Sequence, residues 1–241
     1  MIRRLLGGAW RRLKGWVEGD RPVPVPTVLA RTYLFGDGLE IGALHNPLAV
    51  PRRCRVRYVD RLPVDELRRQ YPDLADEPLV PVDVVDDGER LATVPDGSQD
   101  FVIANHVLEH CEDPLGAVGN FVRVLKPGGV LYMAVPDKRY TFDKDRPLTP
   151  LDHLRRHHRD GPGWSRAGHY DEYARLAHGA APDVAPRLAA DMMAGGYSIH
   201  FHVWTQKELL ELLLSLKDDL GFDFEVVCKN GHEVIFVLRK G

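Results

Sequence analysis

Short hydrophobic runs alternate with stretches of helical periodicity from about residue 36 onwards. The runs predict five strands, at residues 38–43, 55–60, 79–85, 100–105 and 130–135. Apolar residues recur at helical spacing across 114–125, and Lys126-Pro127-Gly128-Gly129 ends that helix. Strands that alternate with helices in this way predict a parallel sheet covered by helices.

The C-terminal part resumes this pattern after an interruption. Thr205 and Glu208 have the spacing of a capping box, which predicts the start of a helix. Two further runs, at 222–227 and 233–238, are joined by Asn230-Gly231, a typical hairpin turn. The predicted fold is therefore α/β and doubly wound. Its mostly parallel, Rossmann-like seven-stranded sheet ends in an antiparallel C-terminal hairpin.

The interruption, residues 137–203, is long, polar and rich in Pro, Gly, Arg and His. It contains seven of the eleven histidines. A loop of this length without secondary structure would be unusual in a compact domain. We therefore expect a partly helical insert after strand five.

The N-terminal region differs from the rest. Residues 1–20 place apolar side chains on one helical face and arginines on the other, which is typical of a basic amphipathic segment. Such a segment either docks on its own domain or a partner, or contacts an anionic membrane peripherally. In residues 21–35, three alternating prolines predict an extended linker.

The composition narrows the classes of protein. The chain has 241 residues, 44% of them hydrophobic, and a net charge of -3 that disfavours a nucleic-acid partner. Three cysteines without a C-x-x-C pair disfavour a disulfide framework and a structural zinc site. The apolar runs are shorter than the about 20 residues of a membrane span. We expect a cytoplasmic protein, at most peripheral to the inner face of a membrane through residues 1–20.

Polar residues follow four of the predicted strands, where an open parallel sheet binds its ligands. Gly42 lets the backbone approach a ligand, and Asn46-Pro47 has the pattern of a helix start whose amides face a polar group. Asp60 can accept hydrogen bonds from ribose hydroxyls, and Asp87 from an exocyclic amine. Each feature alone also fits an ordinary turn or a surface carboxylate, whereas their joint order favours a nucleoside-containing ligand.

Several motifs then occur in a fixed order: Glu40-Ile41-Gly42, Asp60, Val107-Leu108-Glu109-His110 and Arg123-Val124-Leu125-Lys126-Pro127-Gly128-Gly129. This set resembles the class I S-adenosylmethionine-dependent methyltransferases, most closely the small-molecule branch with an "LEH…RVLKPGG" signature. The resemblance covers about residues 36–136 and, more loosely, 200–238. The family usually shows Glu-x-Gly-x-Gly-x-Gly. Here Leu44 and Asn46 replace two glycines, and we expect Asn46 to substitute because Asn tolerates left-handed conformations.

The resemblance implies S-adenosyl-L-methionine as cofactor. Glu40 and Gly42 would hold its methionine end, Asp60 its ribose, and Asp87 with Gly88 its adenine, while Asn105 and His106 would line the transfer region. The expected cofactor-binding residues are Glu40, Gly42, Ala43, Asn46, Asp60, Arg61, Asp87, Gly88, Asn105 and His106. Residues 36–136 would form the cofactor-binding half of the domain, 137–203 a substrate or lid insert, and 204–241 the helix and hairpin that complete it.

The expected activity is methylation of a polar small molecule, with O-methylation of a sugar or glycan hydroxyl as the lead. Candidates for the catalytic base are His110, His106 and His153, since histidine is the commonest general base. The amino-methyltransferase signature Asn-Pro-Pro-Tyr/Phe does not follow strand four, which disfavours nucleobase acceptors. Alternatives are a non-catalytic S-adenosylmethionine-binding module, a methyltransferase for an N- or C-acceptor, and a nicotinamide-dependent oxidoreductase. The last is disfavoured because G-x-G-x-x-G is missing. A divalent metal and a homodimer are left open.

Overall fold

A computed structural model describes residues 23–74 and 76–241. The strands in this part of the chain are β1 (Gly36–Ile41), β2 (Cys54–Asp60), β3 (Val84–Val85), β4 (Gln99–Asn105), β5 (Leu125–Pro136), β6 (Phe222–Asn230) and β7 (Glu233–Lys240). They form one sheet with the order β3-β2-β1-β4-β5-β7-β6. The pairs among β1 to β5 are parallel, and β7 runs antiparallel to both β5 and β6. The predicted doubly wound sheet with a C-terminal hairpin is therefore confirmed.

Seven α-helices lie in the described residues: α1 (Val25–Tyr33), α2 (Val64–Gln70), α3 (Pro114–Val124), α4 (Leu151–Asp160), α5 (Arg166–Glu172), α6 (Ala185–Ala194) and α7 (Gln206–Leu220). The capping box at the start of α7 is present, with both the Thr205 and the Glu208 side chains engaged. In the described part of the chain, none of the helices is long and apolar enough to cross a bilayer.

The central strands bury both faces, which explains their nearly continuous hydrophobic runs. In β4, Phe101 and Ile103 face one core, and Val102 and Ala104 face the other. The first core is covered by α1, and the second by α3 and α7. The alternation of side chains along a strand thus allows helices to cover the sheet on both sides.

The insert after β5 is partly helical, as expected, and has a small core of its own. Its buried apolar residues are Tyr170, Ala174, Ala185, Ala189, Ile199 and Phe201. Its two ends lie side by side, because the Lys138 amide donates to the Trp204 carbonyl at 2.9 Å. The Thr149 amide likewise donates to the Val203 carbonyl at 3.0 Å. The chain therefore enters and leaves the insert at neighbouring points.

Two expectations about the N-terminal half are wrong. Within the expected linker 21–35, α1 is a helix. Its one proline, Pro26, occupies the first turn, where a missing N–H does no harm. Ala30 within the helix and Leu34 directly after it are fully buried against the sheet. The helix expected to start at Asn46-Pro47 does not form. Residues 42–53 make an irregular crossover instead, and Leu48 packs against the α1 face of the sheet.

Strand β3 is also much shorter than the predicted run 79–85, because only Val84 and Val85 pair with β2. The basic amphipathic segment 1–20 lies outside the described residues.

Candidate active site

The carboxyl ends of the parallel strands meet at one edge of the sheet, where two adjoining cavities open. We call them the Asp60 cavity, of about 590 Å³, and the Glu40 cavity, of about 560 Å³. Both are lined by Gly42, Leu44, His106 and His110. The Asp60 cavity adds Asp60, Arg61, Asp87 and Gly88, and the Glu40 cavity adds Glu40, Ala43, Asn46 and Asn105. All of the expected cofactor-binding residues therefore lie along this edge.

The Asp60 side chain stands at the end of β2. Its Oδ1 accepts a hydrogen bond from the Arg61 amide at 2.7 Å. Burial raises the pKa of this carboxyl, although contacts with Arg61 oppose the rise. On the opposite wall, Asp87 Oδ1 accepts from the Glu89 amide at 2.9 Å. The two carboxylates are thus fixed by backbone amides at the rim of one cavity.

Arg61 connects this cavity to the insert. Its guanidinium donates to the Gly196 carbonyl at 3.4 Å and to the Tyr71 hydroxyl at 3.2 Å. Ser198, two residues beyond Gly196, also lines the Asp60 cavity. One wall of the cavity is therefore built by the insert.

Three buried polar atoms in the Glu40 cavity have no hydrogen-bond partner among the described residues: Glu40 Oε2, Asn105 Oδ1 and the Tyr132 hydroxyl. The other Glu40 oxygen, Oε1, accepts from the Leu48 amide at 2.8 Å. Burial raises the pKa of the Glu40 carboxyl to about 7. Because an unpartnered buried polar atom costs free energy, a ligand with matching polar groups would be stabilised here.

The turn after β1 differs from expectation in one residue. Gly42 and Leu44 adopt positive φ values of 63° and 49°. Asn46, the residue expected to take the place of a family glycine, does not have a positive φ. Its backbone amide instead closes a turn by donating to the Ala43 carbonyl at 2.9 Å. Leu44 therefore takes the strained left-handed position where the family usually has glycine.

His106 lies between two carboxylates. Its Nε2 is 2.9 Å from Glu233, and its Nδ1 is 3.5 Å from Glu109. Contacts with Glu109 and Glu233 raise the pKa of His106 to about 10. An imidazole that is already protonated cannot accept a proton, which argues against the expected role of His106 as base.

Glu109 joins this histidine to the insert. It is fully buried, and its carboxylate is 4.0 Å from His200 Nε2. His200 Nδ1 contacts Asp143 at 2.6 Å, and the same Asp143 pairs with Arg146 at 2.8 Å. A chain of buried polar side chains thus runs from the cavity edge into the insert.

His110 has the features of a neutral base. Its Nδ1 donates to the Ile199 carbonyl at 2.9 Å and is 3.0 Å from the Ser198 hydroxyl. Burial lowers its pKa, so the ring is neutral near pH 7. With the proton fixed on Nδ1, the lone pair is on Nε2.

The third candidate base, His153, lies on α4 and lines neither cavity. Its Nε2 is 3.1 Å from His169 Nε2 within the insert. The structure therefore does not bring His153 together with His106 and His110. The cavities are also lined by four residues that the sequence does not predict, because none of them belongs to a recognisable motif: Tyr71, Tyr132, Ser198 and Glu233.

Residues 38–133 match a family model described as a methyltransferase domain. The matched residues span β1 to β5 and the cavity edge. This part of the chain is therefore similar to a methyltransferase domain. The chain is 34% identical over 104 residues to a probable S-adenosylmethionine-dependent methyltransferase of Mycolicibacterium smegmatis. The aligned part covers 42% of this chain and 37% of the relative.

The chain also matches an uncharacterized 37.1 kDa protein in a transposon of Streptomyces fradiae. The identity is 37% over 106 residues, covering 42% of this chain and 28% of the relative. The chain thus spans about a third of the length of these curated relatives. A crystal structure from Rhodobacter sphaeroides, described as a putative Zn-dependent alcohol dehydrogenase, has a TM-score of 0.56 at 15% identity over 97% of each chain. That likeness concerns the fold alone.

Proposed function

We propose that the domain binds S-adenosyl-L-methionine along the cavity edge and transfers its methyl group to a hydroxyl of a polar acceptor, with a sugar or glycan hydroxyl as the lead. The observation that carries the proposal is the set of unpartnered buried atoms in the Glu40 cavity beside the neutral His110 ring. The name of the Mycolicibacterium smegmatis relative supports the choice of cofactor.

The residues present fit this cofactor. Glu40 Oε2, buried and without a partner, would accept from the ammonium of the methionine end. Asp60 would accept from the ribose hydroxyls, and Asp87 from the adenine amine. A carboxylate and a bound cation form a charge-assisted hydrogen bond, which is stronger than a neutral one.

His110 would act as the base. When bound, the cofactor supplies an electrophilic methyl group on a sulfonium. His110 Nε2 would accept the proton of the acceptor hydroxyl as its oxygen gains the methyl group, with a neutral thioether as the leaving group. The hydrogen bond from Nδ1 to the Ile199 carbonyl would hold the ring in orientation during that transfer.

The insert would present the acceptor. It contributes Ser198 to one cavity wall and holds the orienting carbonyl of Ile199. Polar walls of this kind suit a hydroxyl-rich acceptor, because each acceptor hydroxyl needs a partner when it leaves water. Methyl transfer itself demands mainly positioning.

Calorimetry with S-adenosylmethionine and S-adenosylhomocysteine tests cofactor binding. Asp60→Ala should weaken binding by about 10-fold to 100-fold, the effect of losing hydrogen bonds to a charged group. Asp152→Ala, which removes an exposed carboxylate on α4, should leave binding unchanged. If the wild type fails to bind either compound, or Asp60→Ala binds as the wild type does, the cofactor proposal is wrong.

Transfer is tested separately with methyl-labelled cofactor and a panel of sugars, glycans, amines and carbon acids. Label on a hydroxyl oxygen supports the proposal, and label on nitrogen or carbon supports the N- or C-acceptor alternative. Tight cofactor binding with no turnover on any acceptor would instead favour a non-catalytic binding module, for which the replacement of a family glycine by Leu44 is the motivating observation.

A further inference from the structure

Three histidines of the insert converge at a second place in the molecule. His153 comes from α4, His169 from α5, and His202 from the extended segment before α7. One ring nitrogen of each lies within 4.8 Å of the other two. None of the three lines the Asp60 or the Glu40 cavity.

A hydrogen bond to a backbone carbonyl fixes the tautomer of one of these rings, and the other two rings contact each other directly. His202 is fully buried, and its Nε2 donates to the Glu112 carbonyl at 3.2 Å. That bond places the lone pair on His202 Nδ1, which is buried and has no partner among the described residues. The Nε2 atoms of His153 and His169 face each other at 3.1 Å.

The three rings are also in the charge state that a metal requires. Burial lowers the pKa of His153 to about 4 and that of His169 to about 3, and it lowers the pKa of His202 well below its ordinary value. All three are therefore neutral near pH 7, and a neutral imidazole is the form that coordinates a metal.

We propose that His153, His169 and His202 bind one divalent transition-metal ion of the zinc class. Nitrogens at the about 2.0–2.1 Å of a zinc–nitrogen bond lie about 3.3 Å apart around a tetrahedral ion, close to the 3.1 Å between the His153 and His169 nitrogens. The three nitrogens, which lie within 4.8 Å of one another, would draw together on binding. The fourth position would be taken by water. The wide spacing of the cysteines, which disfavours a structural zinc site, has no bearing on histidine ligands.

The surroundings resemble the outer shell of a metal site. The Glu112 carbonyl accepts from His202 Nε2 and also from His157 Nδ1, the latter at 2.6 Å. A ligating histidine commonly donates its other N–H to a backbone carbonyl, which fixes its tautomer. The Trp164 ring packs at a tilt of 52° beside His153, with a centroid distance of 4.8 Å.

The consequence is that the ion would join α4, α5 and the segment returning to the sheet. It would hold the insert together without touching the cofactor cavities. The inference is thus independent of the proposed function, because metal retention can be measured whether or not methyl transfer occurs.

The test uses the full chain without an affinity tag, since a polyhistidine tag would bind the same metals. The protein is treated with a chelator, loaded with Zn²⁺, desalted and analysed for bound metal, and its thermal midpoint is recorded with and without Zn²⁺. We expect one tightly held Zn²⁺ per chain and a raised midpoint. Loss of an outer-shell partner weakens metal binding by about 10-fold to 100-fold. His153→Ala removes a ligand itself and should weaken Zn²⁺ binding by more than that.

Further variants separate ligation from folding. His153→Cys replaces one zinc ligand with another and should retain the ion, whereas His153→Gln should lose it with circular dichroism unchanged. His178→Ala, at an exposed histidine of the insert, should behave as the wild type does. The ligand atoms of a second group, His106, His232 and Glu233, also lie close together. His232→Ala tests whether Zn²⁺ binds to that group instead.

The proposal fails if folded wild-type protein retains no Zn²⁺ after desalting. It also fails if His153→Gln binds Zn²⁺ as tightly as the wild type, or if His232→Ala abolishes binding while His153→Gln does not.

Discussion

Replacing Glu40 with Gln should stabilise the free protein and impair its binding of the cofactor. The Glu40 carboxyl is 1% exposed, and one of its oxygens has no partner among the described residues. Burial raises its pKa from 4.5 to about 7, and at about 1.4 kcal/mol for each pH unit this corresponds to about 3 kcal/mol. The neutral amide keeps an oxygen for the Leu48 amide and avoids a buried charge.

The direction in which stability changes with pH follows from the pKa values of Glu40 in the unfolded and the folded chain. Between about pH 4.5 and pH 7 the folded chain holds a proton on Glu40 that the unfolded chain has released, so the wild type loses stability across this window as pH rises. Above pH 7 the whole penalty is present. We therefore expect Glu40→Gln to be more stable by about 1–3 kcal/mol at pH 8, which raises the thermal midpoint by about 2–4 °C per kcal/mol in a chain of this size. At pH 4.5 the two proteins should be nearly equal.

Urea denaturation at pH 4.5, 6 and 8 measures this difference, and calorimetry with S-adenosylmethionine measures the loss of binding. Glu66→Gln, at an exposed glutamate of α2, is the matched control and should change neither quantity. In the wild type, affinity should fall as pH drops below about 7, because protonation removes the anion that meets the ammonium. A variant that is less stable than the wild type at pH 8, or one that binds the cofactor equally well, would refute the reasoning.

Two other changes separate chemistry from folding. His110→Gln should lower kcat by about 10²-fold to 10⁴-fold in a methyl-transfer assay, while calorimetry shows unchanged cofactor binding. The wild-type rate should fall in acid, because the ring gains a proton. A wild-type rate in the variant would exclude His110 as the base. Arg146→Met removes a fully buried guanidinium that pairs with Asp143 and Glu172, both at 2.8 Å, and should reduce the free energy of unfolding in urea by about 3–5 kcal/mol. Arg175→Ala, which breaks an exposed pair, should cost under about 1 kcal/mol, and equal losses in the two variants would show that burial of the Arg146 network does not matter.

The fold could be predicted wherever a local rule and the tertiary structure agree. The hydrophobic run of β4, the capping box at Thr205 and the Asn230-Gly231 turn each favour one structure, and that structure is present. The helix α1 could not be predicted, because proline favours extended chain unless it falls in the first turn. What stabilises α1 is burial of Leu34 against the sheet, and a sequence pattern does not show that packing.

The site could be predicted only as far as strand ends define it. The positions of Asp60 and Asp87 follow from the topology, since the carboxyl ends of parallel strands share one edge. The charge state of His106 could not be predicted, because Glu233 reaches it from β7, more than a hundred residues away. His153 was misplaced for the related reason that residue type alone does not tell which part of an insert faces a cavity.

The paired ends of the insert have a practical consequence. Because Lys138 and Trp204 are hydrogen-bonded neighbours, the stretch between them can change in length or sequence while the distance from β5 to α7 stays fixed. Closing a longer loop costs little additional entropy. The stretch is therefore replaceable as a unit: chimeras joined at this junction should keep the same cavity edge, and they would differ in their acceptors if the insert presents the acceptor as proposed.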